Sequence, residues 1–327
     1  MKPREHQHLE REPILGWDVG GTKCAAVVGT AEGSIVSRSE WATETTPGPE
    51  AMCQRFLAAA QELYTSFGPF AGAGVSIGGP LNIRSGVVLS PPHLPGWVNI
   101  PLREIVAREC ADMLVSGAPV VVQHDAAACL CAEYLWGAAA GTSHSIYLTC
   151  GTGCGSGIMV DRKILVGPNG ESPEVGYAQL ADDGATMDFC GIQRTGHVEA
   201  FGSGTGISLL ATHRFPQKFP PGVSLRAIAE QAASGDRDAC AVIDEAAARL
   251  GQLCVTLAAI FAPQVIIIGS LARHLGDAWL RRVEESFREG ALPVNSKATK
   301  ICAGKLGESL QDLSAIAPVV VEAGLRG

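Results

Sequence analysis

The stretch Ile14-Leu15-Gly16-Trp17-Asp18-Val19-Gly20-Gly21-Thr22-Lys23 decides how the rest of this chain is interpreted. An apolar run ends in the carboxylate of Asp18, a Gly-Gly-Thr-Lys turn follows, and a second apolar run begins at Cys24. This pattern predicts two strands joined by a tight turn. Consecutive glycines let backbone N–H groups converge on an anion, because no Cβ blocks the approach. The turn is a candidate phosphate site, although Gly-Gly also occurs in ordinary hairpins.

A second turn of the same kind lies near the middle of the chain. The β-favouring run 145–150 leads into Gly151-Thr152-Gly153, and a further strand pattern ends at Val160. Two such hairpins, one opening each half of the chain, suggest an internal duplication. If the two turns face each other, they can hold one polyphosphate between them.

Composition limits the class of protein. The chain has 327 residues, 46% of them hydrophobic and 18% charged, which is enough for two domains with sizeable cores. The net charge of −8 argues against nucleic-acid or membrane binding driven by bulk charge. The cysteines are scattered, without a Cys-x-x-Cys pair, and residues 1–13 lack the apolar core of a signal peptide. We therefore expect a reduced, cytoplasmic compartment, with neither a nucleic-acid nor a membrane partner.

Strand and helix patterns alternate along the chain, which is typical of the α/β class. Residues 1–13 are predicted to form a disordered tail, and residues 166–196 a long irregular region. We expect a smaller domain of residues 14–122 plus about 311–327, and a larger domain of residues 123–310.

Six segments of the chain resemble, in order, motifs of the ROK (repressor, open reading frame, kinase) family of sugar kinases. They cover residues 18–23, 78–97, 124–127, 151–155, 170–176 and 265–270. The resemblance extends from about residue 14 to about residue 323. It implies an actin-like ATPase (ribonuclease H-like) fold of two domains, with nucleotide and sugar in the interdomain cleft. It also implies ATP and Mg²⁺ as cofactors and a homodimer.

The resemblance assigns roles to individual residues. Asp125 would be the general base that takes a proton from a sugar hydroxyl as the oxygen attacks the γ-phosphate. Its place at the end of a strand fits this role, although a lone Asp there is also a common helix cap. Asp18 would hold Mg²⁺ through the phosphates. The residues expected to bind the nucleotide are Asp18, Gly20, Gly21, Thr22, Lys23, Thr152, Gly153, Gly269 and Ser270.

A second set of residues would contact the sugar: Gly79, Asn99, His124, Asp125, Glu174, Tyr177 and Glu199. Charge-assisted bonds from sugar hydroxyls to Glu174 and Glu199 would be directional. Both could equally be exposed loop carboxylates, and Asn99 could be a turn or cap residue.

The chain departs from the family pattern at its sugar and metal positions. His124 stands where the family usually has Asn, and Tyr177 where it usually has a His that also binds a structural zinc. Segment 188–199 keeps Cys190 and has His197 in place of a second cysteine, with Asp188 as a third candidate ligand. Structural zinc needs four ligands, so this pattern favours a metal-free loop and predicts no stoichiometric zinc. Ser270 replaces a glycine of the adenosine turn.

The leading interpretation is an ATP-dependent hexose kinase acting on glucose or a close relative. Alternatives are a kinase for N-acetylmannosamine, N-acetylglucosamine or fructose, and a non-catalytic sugar- or nucleotide-binding protein of the same fold. A sugar-responsive repressor is not favoured, because only about 15 residues precede the first turn and the net charge is negative. The retained Asp125 argues against a protein that only binds.

Overall fold

The computed structural model describes residues 12–45, 48–189 and 192–324, so the predicted tail lies outside these residues except for its last two. The strands, in chain order, are β1 (Ile14–Val19), β2 (Lys23–Gly29), β3 (Ile35–Ala42), β4 (Gly72–Ile77), β5 (Leu81–Asn82), β6 (Val87–Val88), β7 (Ile100–Pro101), β8 (Val120–His124), β9 (Ser145–Cys150), β10 (Cys154–Val160), β11 (Lys163–Ile164), β12 (Thr186–Phe189), β13 (Ile192–Thr195), β14 (Val265–Ile268) and β15 (Lys300–Ala303). The α-helices are α1 (Gly48–Phe67), α2 (Leu102–Glu109), α3 (Asp125–Trp136), α4 (Val198–Gly202), α5 (Gly204–Arg214), α6 (Leu225–Ala233), α7 (Arg237–Phe261), α8 (Ser270–Gly290), α9 (Pro293–Ala298) and α10 (Leu310–Glu322).

The chain divides into two compact units. The first contains the residues up to Gly141, Ile164–Ser172 and the residues from Lys305 onward; the second contains Thr142–Lys163 and Pro173–Gly304. The first unit has a five-stranded sheet of order β3-β2-β1-β4-β8, and the second a sheet of order β11-β10-β9-β14-β15. In each sheet an antiparallel hairpin is followed by two parallel strands. This shared topology agrees with the predicted duplication.

The first unit extends beyond the domain boundary predicted at residues 122 and 123. The reason is that α3 packs on α10. The carboxylate of Glu133 in α3 is completely buried and accepts hydrogen bonds from the backbone N–H groups of Ala138 (2.6 Å) and Leu306 (3.2 Å). A buried carboxylate needs such donors, so α3 and both neighbouring stretches of backbone stay in one unit.

The prediction of a long irregular region was wrong in part. The region 166–196, predicted to be irregular, contains the hairpin of β12 and β13, with the hydroxyl groups of Thr186 and Thr195 2.7 Å apart. Helix α8 consists of two helical stretches, because Gly276, with a φ of 80°, interrupts it with a non-helical backbone conformation. Within the described residues, none of the helices is long and apolar enough to cross a membrane.

Alternation along β1 determines how the first core is built. Leu15, Trp17 and Val19 join the buried cluster that includes α1, where Trp17 stacks on Phe56 with ring centroids 4.9 Å apart. The intervening Gly16 faces α10, and a Cβ there would lie 2.8 Å from Ala315 Cβ. Gly74 of β4 lies even closer to α10, because a Cβ there would overlap the backbone oxygen of Ala315. The glycines therefore let α10 approach the sheet.

We expect Gly74→Ala to lower the free energy of unfolding by about 3 kcal/mol, because overpacking against a backbone atom is not relieved by a side-chain shift. Gly16→Ala meets only side-chain atoms, so its effect should be smaller. Urea unfolding followed by circular dichroism measures both variants. Equal stability of Gly74→Ala and the unchanged protein would contradict this packing.

Candidate active site

Three strand ends of the first unit lie level at one edge of its sheet. Val19 of β1 pairs with Ile77 of β4, and Ile77 pairs with His124 of β8. These strands are parallel, so their carboxyl ends point the same way, and ligands of open α/β sheets bind beyond such ends. The edge brings Asp125 close enough to Asp18 for its charge to act on the Asp18 carboxyl group.

The carboxyl group of Asp18 lies in an excess of negative charge. Burial, together with Asp125 and Asp312, raises its pKa to about 8. The guanidinium of Arg38 opposes this shift, but Arg38 is itself paired with Asp312 (Nε to Oδ1, 2.9 Å) and Glu40. A hard divalent cation prefers carboxylate oxygens and would relieve this charge. The donor set at Asp18 therefore fits Mg²⁺.

Asp125 is the first residue of α3 and keeps contact with solvent. Its Oδ1 accepts a hydrogen bond from the backbone N–H of Ala126 (2.6 Å) and lies 3.4 Å from His124 Nδ1. The Asp125 side chain is 47% exposed, whereas that of His124 is 4% exposed. Asp125 is therefore the first helical residue and not the helix cap, a position that His124 occupies, and its carboxylate is open to a substrate hydroxyl.

The turn after β1 is held in shape by its own backbone. The N–H of Gly20 donates to the carbonyl of Lys23 (3.1 Å), and the hydroxyl of Thr43 donates to the carbonyl of Gly20 (2.7 Å). Gly21 and Thr22 are exposed. Lys23 donates to Glu40 (3.0 Å), with 69% of the lysine side chain exposed. Such exposed pairs are weak, so a phosphate group can compete for this ammonium.

His93 belongs to this site, and the sequence reasoning missed it. A Cβ on Gly78 would overlap the His93 ring, and one on Gly21 would lie 3.2 Å from His93 Cβ. Burial lowers the pKa of His93, while the charge of Asp125 opposes that shift. In the sequence, His93 is simply the residue before segment 94–97. Nothing in that position indicates that the His93 ring lies against the turn at Gly21.

Two predicted sugar contacts of the first unit lie on loops. Gly79 follows β4 and is half-buried. Asn99 is exposed, has a φ of 54° and donates its backbone N–H to the carbonyl of Leu89 (3.1 Å). Asn is among the residues that tolerate this left-handed conformation, so a turn role accounts for its presence. A sugar contact by either residue stays a prediction.

The second unit has a comparable turn between β9 and β10, and Glu199 lies against it. Glu199 Oε2 accepts the backbone N–H of Cys154 (2.8 Å), and a Cβ on Gly153 would lie 2.9 Å from the same oxygen. The N–H of Gly204, where α5 begins, donates to the carbonyl of Gly151 (2.7 Å). The turn and one predicted sugar ligand therefore form one cluster.

Glu174 and Tyr177 are close to this cluster. Burial raises the pKa of Glu199 and the nearby charge of Glu174 raises it further, against the bond from Cys154. The Tyr177 ring lies 6.1 Å from the ring of His197, centroid to centroid. Paired carboxylates beside an aromatic ring can accept hydroxyl hydrogens and cover an apolar sugar face, which suits a carbohydrate.

The turn predicted to bind adenosine, at Gly269 and Ser270, also adjoins β9. The N–H of Gly269 donates to the carbonyl of Leu148 (2.9 Å), and a Cβ at Gly269 would lie 2.7 Å from the hydroxyl of Tyr147. Ser270 follows as the first residue of α8 and is half-buried. The second unit therefore gathers Thr152, Gly153, Gly269 and Ser270 near the carboxyl end of β9.

The zinc prediction remains a prediction. Cys190 lies outside the described residues. His197 is buried and precedes α4, and Asp188 lies on β12, where its Oδ2 is 3.4 Å from Gln193 Nε2. Across the part of the chain that the structure describes, no group of three or more His, Cys, Asp or Glu side chains could hold a metal.

Two matching sheets, each opening with a Gly/Thr hairpin and carrying polar residues at the strand ends, define an α/β protein of the actin-like ATPase class. The ROK family model matches residues 14–311, and the chain belongs to the ROK family.

Three relatives illustrate this membership. A glucokinase of Halalkalibacterium halodurans is 28% identical, covering 85% of this chain and 86% of the relative. An N-acetylmannosamine kinase of Shigella flexneri is 31% identical, covering 83% and 87%. The crystal structure of a ROK family glucokinase from Streptomyces griseus in complex with glucose and AMPPNP is 28% identical, with a TM-score of 0.73 and coverage of 93% and 98%.

Proposed function

We propose that this ROK protein transfers the γ-phosphoryl group of ATP to a hydroxyl of a hexose, with glucose as the first candidate acceptor. The observation that carries the proposal is the exposed carboxylate of Asp125 at the same sheet edge as Asp18 and the Gly20–Lys23 turn. The curated relatives, which are glucokinases and N-acetylmannosamine kinases, support the same reaction class.

The chemistry follows from the residues. Asp125 accepts the proton of the sugar hydroxyl, the sugar oxygen forms a bond to the γ-phosphorus, and the bond to the β-phosphate oxygen breaks to release ADP. The Gly20–Lys23 turn and Thr152–Gly153 offer backbone N–H groups, hydroxyls and an ammonium to the phosphates. Mg²⁺ near Asp18 would neutralise charge on the phosphates. His124, Glu174, Tyr177 and Glu199 orient the sugar.

A second candidate acceptor is N-acetylmannosamine. The relative with that name is 31% identical, slightly more than the glucokinase, and His124 and Tyr177 are the family positions that differ here. N-acetylglucosamine and fructose are further alternatives. The family resemblance and the composition also predict a homodimer, no nucleic-acid partner and a cytoplasmic location.

The test is ADP release from ATP with glucose, N-acetylmannosamine, N-acetylglucosamine or fructose, each with Mg²⁺ and with excess chelator. We expect release that needs both the sugar and Mg²⁺, with one sugar giving the highest kcat/KM. A sugar-free reaction is the matched control. If no sugar raises the rate above that control, the non-catalytic alternative replaces the kinase.

A further inference from the structure

The His93 ring packs against two glycines at the sheet edge of the first unit. His93 lies on the connection between β6 and β7. A Cβ on Gly78 would overlap His93 Cε1, and one on Gly21 would lie 3.3 Å from His93 Cδ2. Gly78 follows β4 directly, and Gly21 belongs to the turn after β1. The ring therefore contacts the chain just beyond two of the three strand ends that lie level at this edge.

The third of these strand ends acts on the ring through its charges. Among the ionisable groups of the described residues, Asp125 and His124 are those whose charges act on His93. His124 ends β8, and Asp125 begins α3. All of these residues belong to the first unit. One unit thus brings the imidazole both to the Gly20–Lys23 turn and to the proposed base.

The nitrogen atoms of the His93 ring are available to a ligand. Throughout residues 12–45, 48–189 and 192–324, neither ring nitrogen forms a hydrogen bond with another residue. Although its ring packs on the glycines, His93 as a whole remains exposed to solvent. An imidazole carries at least one N–H donor in its neutral form as well as in its charged form. The ring therefore offers a hydrogen-bond donor at the sheet edge whatever its protonation state.

We propose that His93 is a further catalytic residue, whose imidazole N–H donates a hydrogen bond to the γ-phosphoryl group of ATP while Asp125 receives the proton of the acceptor hydroxyl. This inference rests on the proposed function. The N–H keeps its proton and stabilises the negative charge on the phosphoryl oxygens. Phosphate is favoured over sugar as its partner, because the ring packs on the Gly20–Lys23 turn, to which the phosphates are assigned.

The decisive variant is His93→Phe, because phenylalanine keeps a ring against the two glycines and has no N–H. His93→Gln is the rescue variant, since its side-chain amide still carries a donor. His213→Phe is the matched control, because His213 is an exposed residue near the end of α5. In each variant we would measure kcat and the sugar KM, and by calorimetry without sugar the Kd of ADP and of a non-hydrolysable ATP analogue.

In His93→Phe we expect kcat to fall about a hundredfold, the loss typical of removing one donor to a developing negative charge, with the sugar KM within about threefold. The Kd of the ATP analogue should rise about tenfold, as for the loss of one hydrogen bond to a charged group, while that of ADP changes by less than about twofold. His93→Gln should restore kcat to within about tenfold of the unchanged protein, and His213→Phe should leave it unchanged.

A fall in kcat of less than tenfold in His93→Phe would overturn the proposal, and so would equal weakening of ADP and the ATP analogue. A higher sugar KM with an unchanged kcat would make His93 a sugar ligand, which also contradicts it. If the unchanged protein phosphorylates no sugar, the proposed function fails. The difference between the ATP analogue and ADP then still tests the contact of His93 with the γ-phosphate.

Discussion

Asp125→Asn is expected to lower kcat for sugar phosphorylation by about a thousandfold, within the range that a positioned general base contributes. Asn cannot accept the hydroxyl proton, but its Oδ1 can still accept the Ala126 N–H that Asp125 binds now. The first turn of α3 should therefore persist. Steady-state kinetics at saturating sugar and ATP measures the loss.

Asp161→Asn serves as the matched control for this change. Asp161 is 82% exposed and lies in the turn between β10 and β11, so its replacement should leave kcat unchanged. Calorimetric binding of glucose to Asp125→Asn should stay within about tenfold of the unchanged protein. A kcat within tenfold of the unchanged protein would contradict the role of Asp125 as a base.

Asp18→Asn is expected to abolish nearly all Mg²⁺-dependent activity while making the free protein more stable at pH 8. The pKa of Asp18 is raised to about 8 in the folded state, against 3.8 as its ordinary value. Between these two values the folded protein binds more protons than the unfolded chain, so stability falls as pH rises. Asn carries no charge, so the variant should not lose stability as pH rises through this range.

At pH 8 we expect Asp18→Asn to raise the free energy of unfolding by about 2 kcal/mol. Converting the whole pKa shift into free energy would give a larger value, but water around a partly exposed carboxyl group reduces the effect. At pH 4 the gain should largely disappear, since Asp18 is then neutral in the folded protein. Urea unfolding across pH 4–8 without Mg²⁺ measures both. A gain that is independent of pH would contradict the raised pKa.

Cation binding should show the opposite dependence on pH. Mg²⁺ requires the ionised carboxylate, so its apparent affinity should increase as pH rises toward 8 and binding should release protons. The same excess of negative charge that lowers stability thus favours the cation, a trade of stability for function that is common at active sites.

The sequence located those parts of the site that depend on local pattern. Asp18 and Asp125 each end an apolar run and were singled out for that reason, although the predicted boundary at residues 122 and 123 placed them in different domains. Both Gly/Thr turns were predicted from their strand–turn–strand pattern. The bond between Glu199 and the Cys154 N–H could not be, because 45 positions separate them and no pattern fixes such a long-range contact.

Other features escaped because their physical cause lies in tertiary packing. The strands β12 and β13 have four residues each, and although β12 alternates polar and apolar residues, so short a pattern does not stand out from a loop. Glu133 has the character of a surface residue of a helix, yet it is buried, and the backbone N–H groups of Ala138 and Leu306 satisfy its carboxylate. In each case the local conformation depends on tertiary contacts that the sequence pattern does not show.

The most direct test of the central claim is mass spectrometry of the sugar after incubation with ATP, Mg²⁺ and the protein, with ADP measured in the same sample. We predict a sugar heavier by one phosphoryl group, formed in an amount equal to the ADP, and neither product with Asp125→Asn. ADP without phosphorylated sugar, or equal product from Asp125→Asn, would contradict it.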